Sequence, residues 1–187
     1  MANRKFTKLQ IKRYARHEAG HVVHHVLTFH YKFDFVWVRR SQEDTAPLNK
    51  EGQVLSDLGG CVYRADNEKV FTTTFEFVAN FMAGLAGERI NRKKSGKMDL
   101  AAILMGCEGD WRAAHNAIRE SNEKGLSKWY VKDEDKYMDN ALKSAHSLLR
   151  AARKAHQAVT DALIERGRLT YDEVKEIVYR NLGGTHD

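Results

Sequence analysis

The sequence predicts a mainly α fold (α+β) in which a set of helices carries a small β-sheet or hairpin. Two observations lead there. Apolar residues recur at three- and four-residue intervals through several long segments. Only one run, Phe33-Asp34-Phe35-Val36-Trp37-Val38, is aromatic and β-branched enough to favour a strand outright. With no internal repeat and no long linker, the 187 residues fit a single domain, 1–187, with a basic N-terminal arm (1–9) and a flexible C-terminal tail (182–187).

The elements follow in order. From about Thr7 to His30 the residues Leu9, Tyr14, Val22, Val23, Val26 and Leu27 define one helix. Phe33 to Val38 is the strand, and Phe33, Phe35 and Trp37 are expected to alternate onto one face of it. Ser41 to Gly60 is polar, holds the single proline Pro47, and reads as a long loop. Gly59-Gly60-Cys61-Val62-Tyr63-Arg64 can form a second short strand that pairs with the first. Val70 to about Arg92 is a second helix, whose Ala79, Ala83, Gly84, Ala86 and Gly87 form a small-residue surface open to close helix approach.

After an apolar stretch from Leu100 to Met105 and a glycine-bearing break at Gly106-Cys107-Glu108-Gly109, Asp110 stands where an N-cap would, ahead of a helix from Trp111 to about Glu123. Asp133 to Arg166 reads as one long helix stopped by Gly167. Thr170-Tyr171-Asp172-Glu173 is a capping box opening a last helix to about Asn181.

Composition narrows the function classes. Cys61 and Cys107 form no C-x-x-C pair and no disulfide framework, so a reducing, cytoplasmic setting is expected. No apolar run approaches the roughly 20 residues of a membrane span, and no membrane partner is expected. The net charge of +6 concentrates at Arg4, Lys5, Lys8, Lys12, Arg13 and Arg16 and again at Arg89, Arg92, Lys93, Lys94 and Lys97. These clusters carry no nucleic-acid fingerprint and read as solvated helix faces and a loop, so nucleic acid is not an expected partner.

One motif carries chemistry. His17-Glu18-Ala19-Gly20-His21 is an H-E-x-x-H sequence inside the first helix. Residues four apart stack on one helix face, so both imidazoles can grip one ion while Glu18 reaches a water molecule beside it. Zinc suits this donor set and brings the pKa of such a water down to roughly 7. Glu18 is then the general base and His17 and His21 are ligands. Three carboxylates compete for the third ligand: Glu88, Asp99 and Asp110. His25 and Asp99 are candidates for a fourth that would close a purely structural site. His24 and His25 otherwise read as supporting histidines at the core edge, and His30, His115, His146, His156 and His186 as structural or solvent-facing.

Taken together, the segments resemble the zincin-like peptidase domain of the FtsH-type zinc proteases over about residues 10 to 181. The resemblance rests on His17-Glu18-Ala19-Gly20-His21, Phe33 to Val38, Met82-Ala83-Gly84-Leu85-Ala86-Gly87-Glu88-Arg89-Ile90, Gly109-Asp110-Trp111-Arg112-Ala113-Ala114, and the ending from Ala162 to Thr170. It implies a zinc-dependent endopeptidase (a hydrolase) with Asp110 as third ligand and Glu88 as a supporting or alternative ligand. The Glu88-to-Asp110 spacing exceeds the family's usual one and keeps Asp99 in contention, and Trp111 stands where the family has an aliphatic residue.

The family's ATPase module and membrane helices have no counterpart here. The expected activity is therefore ATP-independent cleavage of flexible or unfolded polypeptide, or cleavage assisted by a separate unfoldase, with a homo-oligomer as a further expectation. A peptide pairing with an exposed edge of the Phe33–Val38 strand, through Phe35, Val36 and Trp37, is the expected substrate mode. The alternative is a catalytically inactive FtsH-like adaptor whose basic clusters hold an acidic protein or nucleic acid.

Overall fold

The computed structural model describes residues 7–29, 31–40, 59–63, 73–90, 108–125 and 131–182. The loop with Pro47, the apolar stretch 100–105, Asp99, Cys107, His30, His186, the basic residues 92–97 and most of both termini lie outside these residues.

Helix α1 (Lys8–Thr28) begins at a capping box in which Thr7 accepts from the Gln10 amide and Gln10 accepts from the Thr7 amide. It ends where Phe29 turns extended, its N–H still bonded to His25 O. From His17 to Val26 every side of α1 is buried, which makes it the central helix. Helix α2 (Thr74–Arg89) starts at a second box, Thr73 with Glu76, four residues later than its apolar pattern suggests. Thr73 is extended and caps the turn, so the helix cannot reach back to Val70.

The small-residue surface of α2 receives α1 as expected. A Cβ at Gly20 would lie 2.2 Å from Ala83 O, and one at Gly87 would lie 2.5 Å from Arg16 O. Only glycine lets the two backbones touch there. The chains run antiparallel, with His17 beside Glu88 and His21 beside Asn80.

Helix α3 (Glu108–Lys124) starts two residues before Asp110, so Asp110 is a first-turn residue and not an N-cap. Acidic side chains in a first turn sit favourably against the positive end of the helix dipole, and Gly109 is tolerated among the unpaired amides there. The segment expected as one helix from 133 to 166 is two. α4 (Glu134–Ala151) and α5 (Arg153–Arg166) meet at Ala152, whose φ of −91° and ψ of 26° leave the helical region. The break lets α4 pack on α2 and α5 on α1. No glycine or proline marks it, so the apolar period runs straight through. Gly167 stops α5 in the left-handed conformation (φ 76°), as expected.

Strand β1 (Phe33–Val38) pairs antiparallel with β2 (Gly59–Tyr63), as the sequence suggests, and also with an unanticipated β3 (Arg168–Thr170). Three residues are too few to show a period, which is why β3 was not foreseen. The order is β2-β1-β3, with β1 in the centre. Thr170 then closes the expected capping box with Glu173 and opens α6 (Tyr171–Leu182).

A register shift between Phe33 and Phe35 places an extra residue on β1 and breaks the expected alternation. Phe33, Val36 and Val38 face the core, whereas the Phe35 ring lies 3.6 Å from the Arg168 guanidinium carbon. The core itself joins α1, α2, α4, α5 and α6 through Val22, Val23, Met82, Met138, Leu149, Leu163, Val174 and Val178. Each fully buried aliphatic of this kind contributes ~1.5–3 kcal/mol. Among the described residues, no helix is long and apolar enough to cross a membrane.

Candidate metal centre

Three donor atoms converge where α1, α2 and the start of α3 meet. His17 Nε2 and His21 Nε2 are 3.1 Å apart, and Asp110 Oδ2 lies 2.9 Å from the first and 3.3 Å from the second. Donors around a tetrahedral zinc, each about 2.1 Å from the ion, stand about 3.4 Å from one another. The observed triangle is within half an ångström of that figure, and these three residues are a group able to hold a metal ion.

The outer ring nitrogens decide what the inner ones present. His21 Nδ1 is 2.7 Å from the main-chain oxygen of Asn80, which can only accept, so Nδ1 carries the proton and Nε2 a lone pair. His17 Nδ1 is 3.0 Å from Glu88 Oε1, a carboxylate whose other oxygen accepts from Arg13 Nε at 2.6 Å. Its Nε2 is likewise left with a lone pair. Three acceptors thus point at one spot, and a divalent cation is what such a set satisfies.

With no cation bound, a proton shared with Asp110 satisfies the same atoms, and the charges show it. Burial would lift the Asp110 carboxyl, but His21 and His17 hold it far below the ordinary carboxylate range. Burial would lower His21, yet the Asp110 carboxylate reverses that and raises it. Glu88 is lowered because its bonds to His17 and Arg13 outweigh the burial that would raise it. Glu18, only 7% exposed, is raised: burial dominates, and the nearby His17 and His21 offset it in part. A carboxylate raised toward neutrality is what a general base needs.

Two glycines shape the site. A Cβ at Gly84 would fall 2.4 Å from His21 Nε2 and 2.6 Å from His17 Nε2, so any side chain there would fill the space between the imidazoles. A Cβ at Gly59 of β2 would come 3.0 Å from Glu18 Oε1.

Glu88 sits behind His17 and does not approach the inner nitrogens. Asp99 lies outside the described residues. His25 is not a fourth ligand: its Nε2 donates to Tyr31 O at 2.8 Å, among the rings of Phe29, Tyr31 and Phe33. His24 Nδ1 meets the Asn80 side-chain oxygen at 3.2 Å, a supporting position. His156 is structural, donating to Arg16 O, and His115 pairs with Glu134.

The expected open edge on β1 is not there. Phe35, Val36 and Trp37 are paired on both sides, Val36 is in the core, and Trp37 lies buried against Gly60. The strand beside Glu18 is β2, an edge of the sheet among the described residues.

Sequence reasoning missed Asn80, Gly84 and Arg13. Asn80 acts through a main-chain oxygen, which leaves no mark in residue type. Gly84 was visible only as a small residue, although 80, 84 and 88 share one helix face. No family model matches the chain, and no curated protein is significantly similar to it in sequence.

Proposed function

We propose that the protein is a zinc-dependent endopeptidase of zincin-like architecture, cleaving flexible or unfolded polypeptide. The observation that carries the reading is the convergence of His17 Nε2, His21 Nε2 and Asp110 Oδ2 with the proton-accepting, buried Glu18 beside them. Zinc held by these three residues would supply Lewis acidity to a water molecule and to the scissile carbonyl.

The chain's own groups do the rest. Glu18 takes the proton of the attacking water and returns one to the leaving amine. Glu88, backed by Arg13, and the Asn80 carbonyl fix the tautomer and aim of the two imidazoles. His17 and His21 are nearly enclosed, and Asp110 leaves the more open side. A site this recessed suits an extended strand of chain better than a folded surface.

The test is digestion of a reduced, unfolded polypeptide by zinc-loaded protein. Glu18→Gln is expected to keep its zinc and lose about 100-fold or more in cleavage rate. Equal cleavage by both proteins would remove the proposal.

A further inference from the structure

Helix α2 does more than floor the metal centre. At 100° per residue, Gly84, Glu88, Phe81 and Phe77 fall within about 60° of one another around its axis. Glu88 meets the His17 imidazole, and Gly84 lies against both imidazoles. Phe81 and Phe77 continue the same stripe toward the start of the helix, about 4.5 Å and about 10.5 Å along the axis from Gly84.

Among the described residues, the neighbouring helices contact α2 on either side of this stripe. α1 lies against the Gly20–Ala83 and Asn80 side of α2. α3 lies on the other side and runs antiparallel to α2: Asp110 closes on the centre at Gly84, and Ser121 Oγ is 2.8 Å from Thr74 Oγ1 at the far end. The stripe therefore runs between α1 and α3, with the donor atoms at one end and the two aromatic rings along it. Phe77 is 43% exposed, one of three large apolar side chains so exposed among the described residues. Phe81 is half-buried, its ring edge-on to that of Phe77 at 5.2 Å.

We infer that Phe81 and Phe77 form the specificity subsite of the enzyme, receiving large apolar side chains of an extended polypeptide next to the bond that is cut. This rests on the endopeptidase reading. An extended chain advances about 3.3 Å per residue. Phe81 is thus one to two residues from the scissile bond and Phe77 about three, so side chains on one face of the substrate meet the rings in turn. The occupant is an aromatic or large aliphatic side chain because the floor offers two rings and no charge between Gly84 and the helix start on this stripe.

The experiment uses zinc-loaded Glu18→Gln protein, which holds ligand without turnover, and two zinc-chelating peptide hydroxamates that differ only in a benzyl or a methyl side chain beside the hydroxamate. Calorimetry is expected to show the benzyl compound binding about tenfold or more tighter. Adding Phe81→Ala should bring that ratio to within about threefold. In Phe77→Ala, whose exposed site leaves the fold intact, the loss should appear with a longer hydroxamate carrying its benzyl group two residues further on. Equal binding of the benzyl and methyl compounds at full zinc content, or a ratio that survives both alanine variants, would overturn the subsite and leave the metal centre standing. Failure of both compounds to bind a protein that takes up no zinc would overturn the two readings together.

Discussion

At the residue scale the centre depends on which ring nitrogens keep their protons. Glu88→Gln removes the charge behind His17 Nδ1 and lets the imidazole swing or change tautomer. Zinc affinity is expected to fall about 10- to 100-fold in this variant, measured by competition with a chromophoric chelator. Gly84→Ala should do more, because its Cβ would occupy the space between the two Nε2 atoms; metal content near zero by elemental analysis is the expected result.

Burial holds His24 and His25 neutral, lowering each from 6.5 to about 4. Above pH 6.5 neither the folded nor the unfolded chain protonates them. Between 6.5 and 4 only the unfolded chain does, so stability is lost as pH falls through that window, by at most about 3 kcal/mol for each group. His156 acts in the same direction, while His21 and Glu18, whose proton affinities are raised, act against it. Urea unfolding of the metal-free protein should show a lower midpoint at pH 5 than at pH 7. A pH 5 to pH 7 difference that is the same in a His24→Gln, His25→Gln variant would contradict the burial of these two histidines.

At the element scale the crossing of α1 and α2 decides whether the donor atoms meet. Gly20→Ala forces a Cβ against the Ala83 main-chain oxygen, and the helices must separate. Overpacking of this kind costs about 1–3 kcal/mol, which in a chain of this size lowers the melting temperature by roughly 2–4 °C per kcal/mol. Thermal unfolding followed by circular dichroism checks it. The crossing was legible in advance from Ala79, Ala83, Gly84 and Gly87, since small residues at helical spacing have few other uses. The capping box at Thr170 and the stop at Gly167 were legible for the same kind of local reason.

Elements fixed by distant partners were not legible. The turn at Ala152 lets α4 and α5 pack on different helices, and the shift after Phe33 is one of register against β2, a strand distant in the sequence. Neither shows in the residues that form it. The site divides the same way: the pentapeptide announced His17, Glu18 and His21, whereas Asp110 looked equally like a cap, and only the placement of α3 beside α2 brings its carboxylate to them.

At the scale of the whole molecule the three donors come from two helices far apart in the chain, joined across a third. His17 and His21 belong to α1, Asp110 to α3, and α2 supplies Asn80, Gly84 and Glu88 between them. A cation bound by the folded chain alone therefore stabilises the packing of all three. At a free zinc concentration 100 times the dissociation constant, the linkage amounts to about 2.7 kcal/mol. Zinc-loaded protein should accordingly melt roughly 5–10 °C above the chelator-treated protein, and equal melting temperatures would place the metal elsewhere. The central claim, that these three side chains form one divalent-cation site, is tested most directly by titrating zinc into metal-free wild-type and Asp110→Ala protein at neutral pH. The wild type is expected to take up one zinc per chain, with Asp110→Ala weaker by about 100-fold or more. No uptake by the wild type, or equal affinity in the two proteins, would contradict the claim.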